Sequence, residues 1–397
     1  MRKISATYIF PGNRAPMRNG ILTCGDDGTI ISLTDTQGRL QEEQGLEYYN
    51  GIVVPGFINC HCHLELSYMK GKIPEKIGIG NFIGEVNRLR NIQIDDDEMA
   101  LNNAVSGLWA TGTVAVGDVS NSLLTLEVKK KGKLFYHTFA EAFGFLSSRT
   151  ERAFEHACYI ERVFRENGLR ASVVPHSPYS VSETLFRKIT YKAIMEKSIL
   201  SIHNQESKGE EQFFRDGTGP IANHMKKNLN LDISEWNPTG DSSLHSTLRN
   251  LPYENPLLLV HNTFTSKEDI ELIKKKRPYD NTFFVLCPNS NLYIEGHLPP
   301  LSLFVEENLN ICLGTDSLAS NHQLSVFAEM ITLHLHFPEV SFYELVRWAS
   351  LNGARALQVE NFSGSLDPGK KPGINLITGA DLQNIKLTAK SKIRRLI

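Results

Sequence analysis

Most of the chain alternates between short apolar runs and longer amphipathic stretches. The apolar runs are rich in β-branched residues and end in polar residues, and stretches of about 10 to 20 residues separate them. This alternation is typical of strands and helices that build a parallel sheet. Eight runs are predicted to be strands of that sheet: 51–59, 113–120, 134–144, 171–180, 199–207, 256–264, 282–291 and 310–320.

The strand count favours one of two parallel architectures. Eight β-α units match a (β/α)8 TIM barrel. Fully apolar runs such as LLLV at 257–260 and ASVV at 171–174 suit strands that are covered on both faces. The competing architecture is a doubly wound open sheet, but no Gly-x-Gly-x-x-Gly pattern follows a strand. We therefore predict an α/β protein with a (β/α)8 barrel over residues 53–358.

The two ends of the chain have a different pattern. Residues 1–52 contain short alternating runs split by Gly and Asn turns, which predict antiparallel strands. The stretch 372–382 is again strand-like with turn residues. We predict that residues 1–52 and 359–397 pair into one small β-sandwich beside the barrel.

Composition narrows the class of protein. The 42 basic and 44 acidic residues give a net charge of −2, so no basic excess is available for nucleic acid or an anionic membrane. Cys60 and Cys62 are too close for an ordinary disulfide, and no second cysteine pair completes a zinc site. All six cysteines are interpreted as reduced residues of a cytoplasmic protein. Neither a signal peptide nor a transmembrane helix is predicted.

Polar side chains collect at the predicted carboxyl ends of the strands, where barrel enzymes place their chemistry. A single histidine at a strand end is more often a structural hydrogen-bonding residue than a ligand. Five of the thirteen histidines lie at such ends, and this clustering favours a metal site over separate structural roles. Imidazole and carboxylate are ligands of zinc and iron(II). The side chains at these ends are His61, His63, Asp118, Glu141, His176, His203, Glu206, His261, Asn289, Asn291 and Asp316.

The spacing of His61 and His63 has a geometric reason. Residues i and i+2 of a strand point to the same face, so both imidazoles face the interior while Cys62 points outward. Two ligands are too few for one ion. His203 can supply a third and Asp316 a fourth, which leaves the open position for water that a catalytic metal needs.

Several motifs resemble the amidohydrolase superfamily over nearly the whole chain. VVPGFINCHCH resembles its first-strand signature. PHSPYSVS, HNQES, VHNTF, CPNSN and GTDSLASN resemble the branch that deaminates aromatic heterocycles, which includes adenosylhomocysteine, guanine and cytosine deaminases. Binuclear members carry a lysine at the end of strand 4, and this strand has none. The resemblance therefore implies one divalent metal ion, zinc by preference and iron(II) as the alternative.

The resemblance also implies roles for individual residues. His261 is similar in position to the partner of the attacking water, Glu206 to the acid that protonates the ring, and His176 to a substrate contact. Asp316 would take a proton from the water and deliver it to the departing ammonia. The implied metal ligands are His61, His63, His203 and Asp316.

Substrate-binding residues are predicted from a narrower resemblance. HLELS at 63–67 is similar to aminodeoxyfutalosine deaminases, so Glu65 is expected to hydrogen-bond a ring or ribose group. The alternative is that Glu65 neutralises Arg88 or Arg90. Glu141 also fits that subgroup.

Two long segments are predicted to line the pocket mouth, because long loops at a barrel mouth usually bind substrate. They are residues 68–92 and the insertion 208–250. Phe213, Phe214, Trp236 and His245 either cap the pocket or pack an irregular segment.

The expected function is metal-dependent hydrolytic deamination of an aminated purine or adenine nucleoside, with aminodeoxyfutalosine as one candidate. One alternative is hydrolysis of another C–N or C–Cl bond on a heterocycle, as in imidazolone or triazine hydrolases. A non-catalytic barrel scaffold is the other. A small heterocyclic molecule is the expected partner, with no nucleic acid or membrane. Dimers are common among similar enzymes, so a homodimer is allowed.

Overall fold

The computed structural model describes residues 1–91, 97–234 and 236–397. Ile92 and Glu235, which fall in the two predicted pocket segments, lie outside the described residues. The strands of the described ranges are β1 (Arg2–Ile9), β2 (Met17–Arg18), β3 (Ile21–Cys24), β4 (Ile30–Thr34), β5 (Leu46–Pro55), β6 (Phe57–Cys62), β7 (Thr113–Ser120), β8 (Phe135–Ala142), β9 (Arg170–Pro175), β10 (Leu200–Asn204), β11 (Leu257–His261), β12 (Thr282–Leu286), β13 (Ile311–Leu313), β14 (Ile374–Thr378) and β15 (Lys392–Arg395).

Helices connect these strands, and none of those described is long and apolar enough to span a lipid bilayer. The α-helices are α1 (Ile79–Arg90), α2 (Asp97–Ala110), α3 (Leu126–Lys130), α4 (Thr150–Glu166), α5 (Glu183–Glu196), α6 (Lys208–Asp216), α7 (Gly219–Lys227), α8 (Ser243–Leu248), α9 (Lys267–Lys276), α10 (Pro288–Ile294), α11 (Leu301–Glu306), α12 (Val326–His336), α13 (Phe342–Arg347) and α14 (Gly353–Ala356).

Two parallel sheets of four strands form the centre of the molecule. Their orders are β6-β7-β8-β9 and β10-β11-β12-β13. Their strands are almost wholly buried, as the fully apolar runs predicted. Contacts between the two sheets include a parallel bridge between Cys62 and Asp316 and a hydrogen bond of 3.0 Å from the His203 amide to the His176 carbonyl. The α/β fold with parallel strands is confirmed, and closure into one barrel stays a prediction.

The chain ends pair in a third sheet of seven strands. Its order is β15-β14-β5-β1-β3-β4, with β2 on β1. The antiparallel pairing of β14 with β5 joins the two ends of the chain. The expected antiparallel pairing is found for β1 with β2, β1 with β3 and β3 with β4, whereas β1 pairs with β5 in parallel. Whether this sheet forms a sandwich stays a prediction.

The passage from the end sheet to the central sheets lies at Gly56. Strand β5 runs to Pro55, beyond the predicted boundary at residue 52, and β6 begins at Phe57. A Cβ at Gly56 would lie 2.3 Å from the Pro372 carbonyl oxygen and 2.3 Å from Cγ1 of Val114. Only glycine leaves room for this close approach of three chain segments.

Each of the eight predicted runs contains a strand of the central sheets, but the run 51–59 is divided at Gly56 between β5 and β6, and several others end earlier than predicted. The run 171–180 ends as β9 at Pro175, and the run 282–291 ends as β12 at Leu286. Asn289 and Asn291 therefore lie on α10, which begins at Pro288. Proline suits the first position of a helix because its missing N–H would be unpaired there in any case. The polar motif residues leave the sheet and start the loops above it.

A buried ion pair fixes the end of β6. Lys129 Nζ lies 2.6 Å from Asp118 Oδ2, with both side chains fully buried. The ammonium also donates to Ser120 Oγ at 3.1 Å and to Thr138 Oγ1 at 2.9 Å. Asp118 Oδ1 accepts the Leu64 amide at 2.8 Å. Since Leu64 follows His63, this pair holds the chain just beyond β6, where His63 follows the strand residues His61 and Cys62.

Replacing Lys129 by methionine is expected to destabilise the protein by about 3–5 kcal/mol, because it leaves the Asp118 carboxylate buried without its partner. Chemical denaturation measures the loss. Lys130→Met is the matched control: Lys130 is exposed and pairs with Glu127 at 3.0 Å, so its loss should stay below about 1 kcal/mol. Equal effects of the two variants would contradict the prediction.

Candidate active site

Three imidazoles and one carboxylate converge at the seam between the two parallel sheets. The Nε2 atoms of His61 and His63 lie 3.1 Å apart, and those of His63 and His203 lie 3.3 Å apart. Asp316 Oδ1 lies 3.6 Å from Nε2 of both His61 and His63. All four side chains are buried. The structure thus brings together the four residues that were predicted to bind one metal ion.

The chemistry of this donor set fits a divalent cation. His203 Nδ1 donates to the His176 carbonyl at 2.7 Å, which leaves the Nε2 lone pair facing the cluster. Burial lowers the pKa of His61 to about 4 and that of His63 well below its usual value, so both rings are neutral. Their Nδ1 atoms have no hydrogen-bond partner among the described residues. With these nitrogens protonated, three lone pairs and a carboxylate face one another, an arrangement that zinc or iron(II) stabilises.

Asp316 is held as a carboxylate by its neighbours. Burial alone would raise its pKa, but the surrounding imidazoles of His61, His63 and His261 outweigh burial and hold the pKa well below its usual range. Oδ2 accepts hydrogen bonds from Ser290 Oγ at 2.7 Å and Ser320 Oγ at 2.5 Å. Both serines lie within the motifs CPNSN and GTDSLASN, but the sequence reading gave neither of them a role.

Glu206 is a buried carboxyl group beside the cluster. Its Oε1 lies 3.6 Å from His261 Nε2. Burial raises the pKa of Glu206 to about 8, so the group is protonated at neutral pH. A second buried carboxyl, Glu210, accepts the amides of Gln205 at 2.9 Å and Glu206 at 3.2 Å. Glu210 was missed because its role depends on backbone geometry that motif letters do not describe.

His261 ends β11 in a left-handed backbone conformation, with φ of +74°. Its Nδ1 lies 3.3 Å from Asn291 Oδ1, and burial lowers its pKa. Non-glycine residues with positive φ are uncommon and cluster at functional sites. His261 therefore lies next to both Glu206 and the imidazole cluster as a neutral ring.

The two predicted substrate contacts Glu141 and His176 lie on the other side of His203. Glu141 Oε1 is 3.7 Å from His203 Nδ1, and its Oε2 accepts Asn121 Nδ2 at 3.0 Å. His176 Nδ1 pairs with Ser177 Oγ at 2.9 Å and Ser180 Oγ at 2.8 Å. Both Glu141 and His176 line the cavity above the cluster.

Glu65 lies beside one of the two arginines that the sequence offered as its partner. It forms an ion pair of 3.2 Å with Arg90, whereas Arg88 pairs with Glu85 at 2.7 Å. Arg90 is among the described residues that line the cavity, and Glu65 is not. The alternative interpretation of Glu65, as the partner of a nearby arginine, is thus observed with Arg90.

A cavity of about 370 Å³ opens above the cluster. His63, His203, Glu206, His261 and Asp316 form its polar end. Helices α1 and α7 contribute a largely apolar part of its other walls, and the loop after β8 adds Phe143, Phe145 and Leu146. The apolar residues contributed by these two helices are Ile79, Phe82, Ile83, Val86, Ile221 and Met225.

The aromatic residues of the 208–250 insertion lie behind this wall. Phe213 and Trp236 stack in parallel at 4.9 Å between ring centroids, and Phe214 packs on both. His245 is exposed and pairs with Asp241. Phe213, Phe214 and Trp236 therefore pack an irregular segment, whereas α7 of the same insertion lines the cavity.

Comparisons with known proteins agree with the geometry. A model of the amidohydrolase family matches residues 52–394. A Helicobacter pylori protein named adenosine deaminase is 26% identical over 88% of this chain and 85% of its own length. A Nitratiruptor protein named aminodeoxyfutalosine deaminase is 27% identical over 83% and 79%, respectively. The structure of Helicobacter pylori aminofutalosine deaminase with methylthio-coformycin superposes over all of both chains, with a TM-score of 0.80 and 23% identity. The chain therefore belongs to the amidohydrolase family of metal-dependent hydrolases and is a hydrolytic enzyme that acts on C–N bonds.

Proposed function

We propose that this enzyme is a deaminase that removes the amino group of an adenine nucleoside as ammonia, with one divalent metal ion. The observation that carries the proposal is the buried Glu206 carboxyl group, 3.6 Å from His261 Nε2 beside the His/Asp cluster, at the polar end of one cavity. This set supplies an acid for the ring and a base for the water. The names of the two sequence relatives support the same reaction.

We also propose the larger frame of the site. The two parallel sheets close into a (β/α)8 barrel over residues 53–358, with Cys62–Asp316 and His176–His203 as the two seams. The end segments 1–52 and 359–397 form a small β-sandwich beside it. A closed barrel supports the site because it brings all the carboxyl ends of the strands to one mouth.

His61, His63, His203 and Asp316 would hold the metal ion. Zinc is preferred because it takes nitrogen and oxygen ligands and keeps one position open in catalytic sites, and iron(II) accepts the same set. When bound, the ion lowers the pKa of a water toward neutrality, which makes water a nucleophile. The hydrogen bond from His203 Nδ1 to the His176 carbonyl holds one ligand in the required tautomer.

The proton transfers follow from the positions of three residues. Glu206 donates its proton to a ring nitrogen, so that the carbon bearing the amino group accepts the water oxygen. Asp316 Oδ1 takes one proton of that water, while Ser290 and Ser320 hold Oδ2. Asp316 then passes this proton to the amino group, which leaves as ammonia. The second water proton returns to Glu206 as the carbonyl forms, and His261 hydrogen-bonds the tetrahedral centre.

The rest of the cavity suggests the kind of nucleoside. Glu141 and His176 lie next to the cluster, where the base would bind. The apolar wall of α1 and α7 suits an apolar or aromatic 5′ substituent. Arg149 is exposed at the edge of the cavity, and it forms no ion pair within the described residues. A carboxylated aromatic substituent, as in aminodeoxyfutalosine, satisfies both features.

Ammonia release from a substrate panel tests the function. The panel contains adenosine, an adenine nucleoside with an apolar 5′ substituent, one with a carboxylated aromatic 5′ substituent, guanine and cytosine. We expect the carboxylated nucleoside to have the highest kcat/KM. Arg149→Gln should lower that value about tenfold through loss of a charge-assisted contact, and leave the other nucleosides unchanged. No ammonia from any nucleoside with metal-loaded enzyme would contradict the function.

Metal content tests the ligand set. Elemental analysis should find one divalent ion per chain, and chelation should abolish activity and lower the melting temperature, since a ligand that binds only the folded state stabilises it. His63→Ala should weaken metal affinity more than about 100-fold, the upper range for loss of an outer hydrogen-bond partner. His336→Ala, at the exposed end of α12, is the control and should bind metal as the native protein does. Metal binding by the His63 variant equal to that of the control would refute the assignment.

The acid role of Glu206 predicts a pH dependence. Because its pKa is raised to about 8, the protonated form dominates below that pH, and kcat/KM should fall as pH rises through it. Glu206→Gln cannot donate this proton and should lose about 10²–10⁴-fold in kcat/KM. Glu183→Gln, on the exposed start of α5, should keep the native profile. A Glu206 variant that retains the alkaline limb at full rate would count against the role.

A further inference from the structure

The Glu65 carboxylate has no capacity left for a substrate. It is 5% exposed, and each oxygen accepts two hydrogen bonds. Oε1 accepts Arg90 Nη2 at 3.2 Å and Asn121 Nδ2 at 3.1 Å, and Oε2 accepts the Asn121 amide at 2.9 Å and Ser122 Oγ at 3.2 Å. An ionised carboxylate offers about four lone-pair sites, so all are occupied by the protein.

Arg90, in contrast, uses one of its donor nitrogens within the described residues. It is the last residue of α1, its side chain is 33% exposed, and it lines the cavity. Within the described part of the chain, its guanidinium donates to Glu65 and does so only through Nη2. A guanidinium carries five N–H donors in a fixed fork. The remaining donors can serve a ligand in the cavity.

The position of Arg90 is close to the reacting end of the cavity. Arg90, His63 and His176 line the same cavity, and Glu65, the ion-pair partner of Arg90, lies two residues after His63 in the chain. Arg90 therefore lies between the imidazole cluster and the apolar wall of α1. In a bound nucleoside, the sugar occupies the place between the base and the 5′ substituent.

The net charge around Arg90 decides which group of a nucleoside it would bind. The ion pair with Glu65 neutralises Arg90, and Asn121 and Ser122 hold the Glu65 carboxylate in place. The neutral pair of Arg90 and Glu65 attracts an anion less strongly than a guanidinium without a carboxylate partner would. Its N–H fork still matches two adjacent oxygen acceptors. A vicinal diol is such a pair of acceptors.

We propose that Arg90 donates hydrogen bonds to the two hydroxyls of the substrate ribose, and that Glu65 is the positioning residue that orients Arg90. The proposal rests on the proposed function, since it assumes a nucleoside substrate. It makes Arg90 a specificity residue for ribonucleosides over dideoxynucleosides and over the free base. Glu65 acts only through Arg90.

A double-mutant cycle tests this contact. One change is Arg90→Gln, and the other is removal of both hydroxyls from the substrate. The substrates are the adenine ribonucleoside with the highest kcat/KM in the panel above and its 2′,3′-dideoxy analogue. We expect Arg90→Gln to raise KM for the ribonucleoside about 10- to 100-fold with little change in kcat, because one or two charge-assisted hydrogen bonds are lost. For the dideoxy analogue the same variant should change KM less than about twofold.

Further variants separate a binding role from a structural one. Arg88→Gln, two residues earlier on α1 and paired with Glu85, should leave both substrates unaffected. Arg90→Lys keeps the charge but loses the fork, so it should retain only part of the preference for the ribonucleoside. Glu65→Gln should lower the same preference with kcat retained. Melting temperatures establish that each variant is folded.

The outcomes distinguish this proposal from the function on which it rests. Equal losses of the Arg90→Gln variant on the ribonucleoside and on its dideoxy analogue would overturn the contact and leave the deaminase function intact. If the native enzyme releases no ammonia from any nucleoside, the proposed function and this contact both fail. A selective loss on the ribonucleoside supports both.

Discussion

The structure depends on the convergence of three imidazole nitrogens and one carboxylate at a single buried point. Neighbouring donor atoms lie 3.1–3.6 Å apart. Lone pairs at such distances repel each other in a medium of low dielectric constant unless a cation lies between them. The surrounding fold must therefore hold four side chains in place against this repulsion. Most other features of the site serve this requirement.

The backbone around the site is strained where the side chains must turn inward. Gln205, His261 and Asp316 have φ values of +46°, +74° and +55°. Each such conformation costs about 1–3 kcal/mol for a non-glycine residue and persists only where its surroundings fix it. Glu210 fixes the turn at Gln205 by accepting two amides, and the amide of Asp316 donates to the His61 carbonyl at 3.1 Å. Buried carboxyl groups thus hold backbone turns and also take part in the proposed proton transfers.

Glu65 shows how much about a single side chain can be inferred from the sequence motifs alone. HLELS drew attention to Glu65, which follows His63 at a spacing of two, so that a continuing strand would point it to the same face as His61 and His63. In the structure the chain leaves β6 at Cys62, and Leu64–Met69 is a 3-10 helix. The phase argument therefore ends at His63, and Glu65 points to Arg90, Asn121 and Ser122. A charge that resembled a ligand-binding group is instead fully used by the protein.

The sequence by itself determined the parallel α/β class, the eight strands and the four converging donors. Strand alternation and apolar runs are local properties, and the carboxyl ends of parallel strands meet at one edge whatever their connections. The ends of the strands, the parallel pairing of β1 with β5 and the partners of Glu65, Glu206 and Asp316 were decided only by the tertiary structure. These features depend on which groups from distant segments compete for one hydrogen-bond acceptor or one buried space. Glu210, Ser290 and Asn121 were not found for this reason, because their roles exist only once the loops above the sheets have packed.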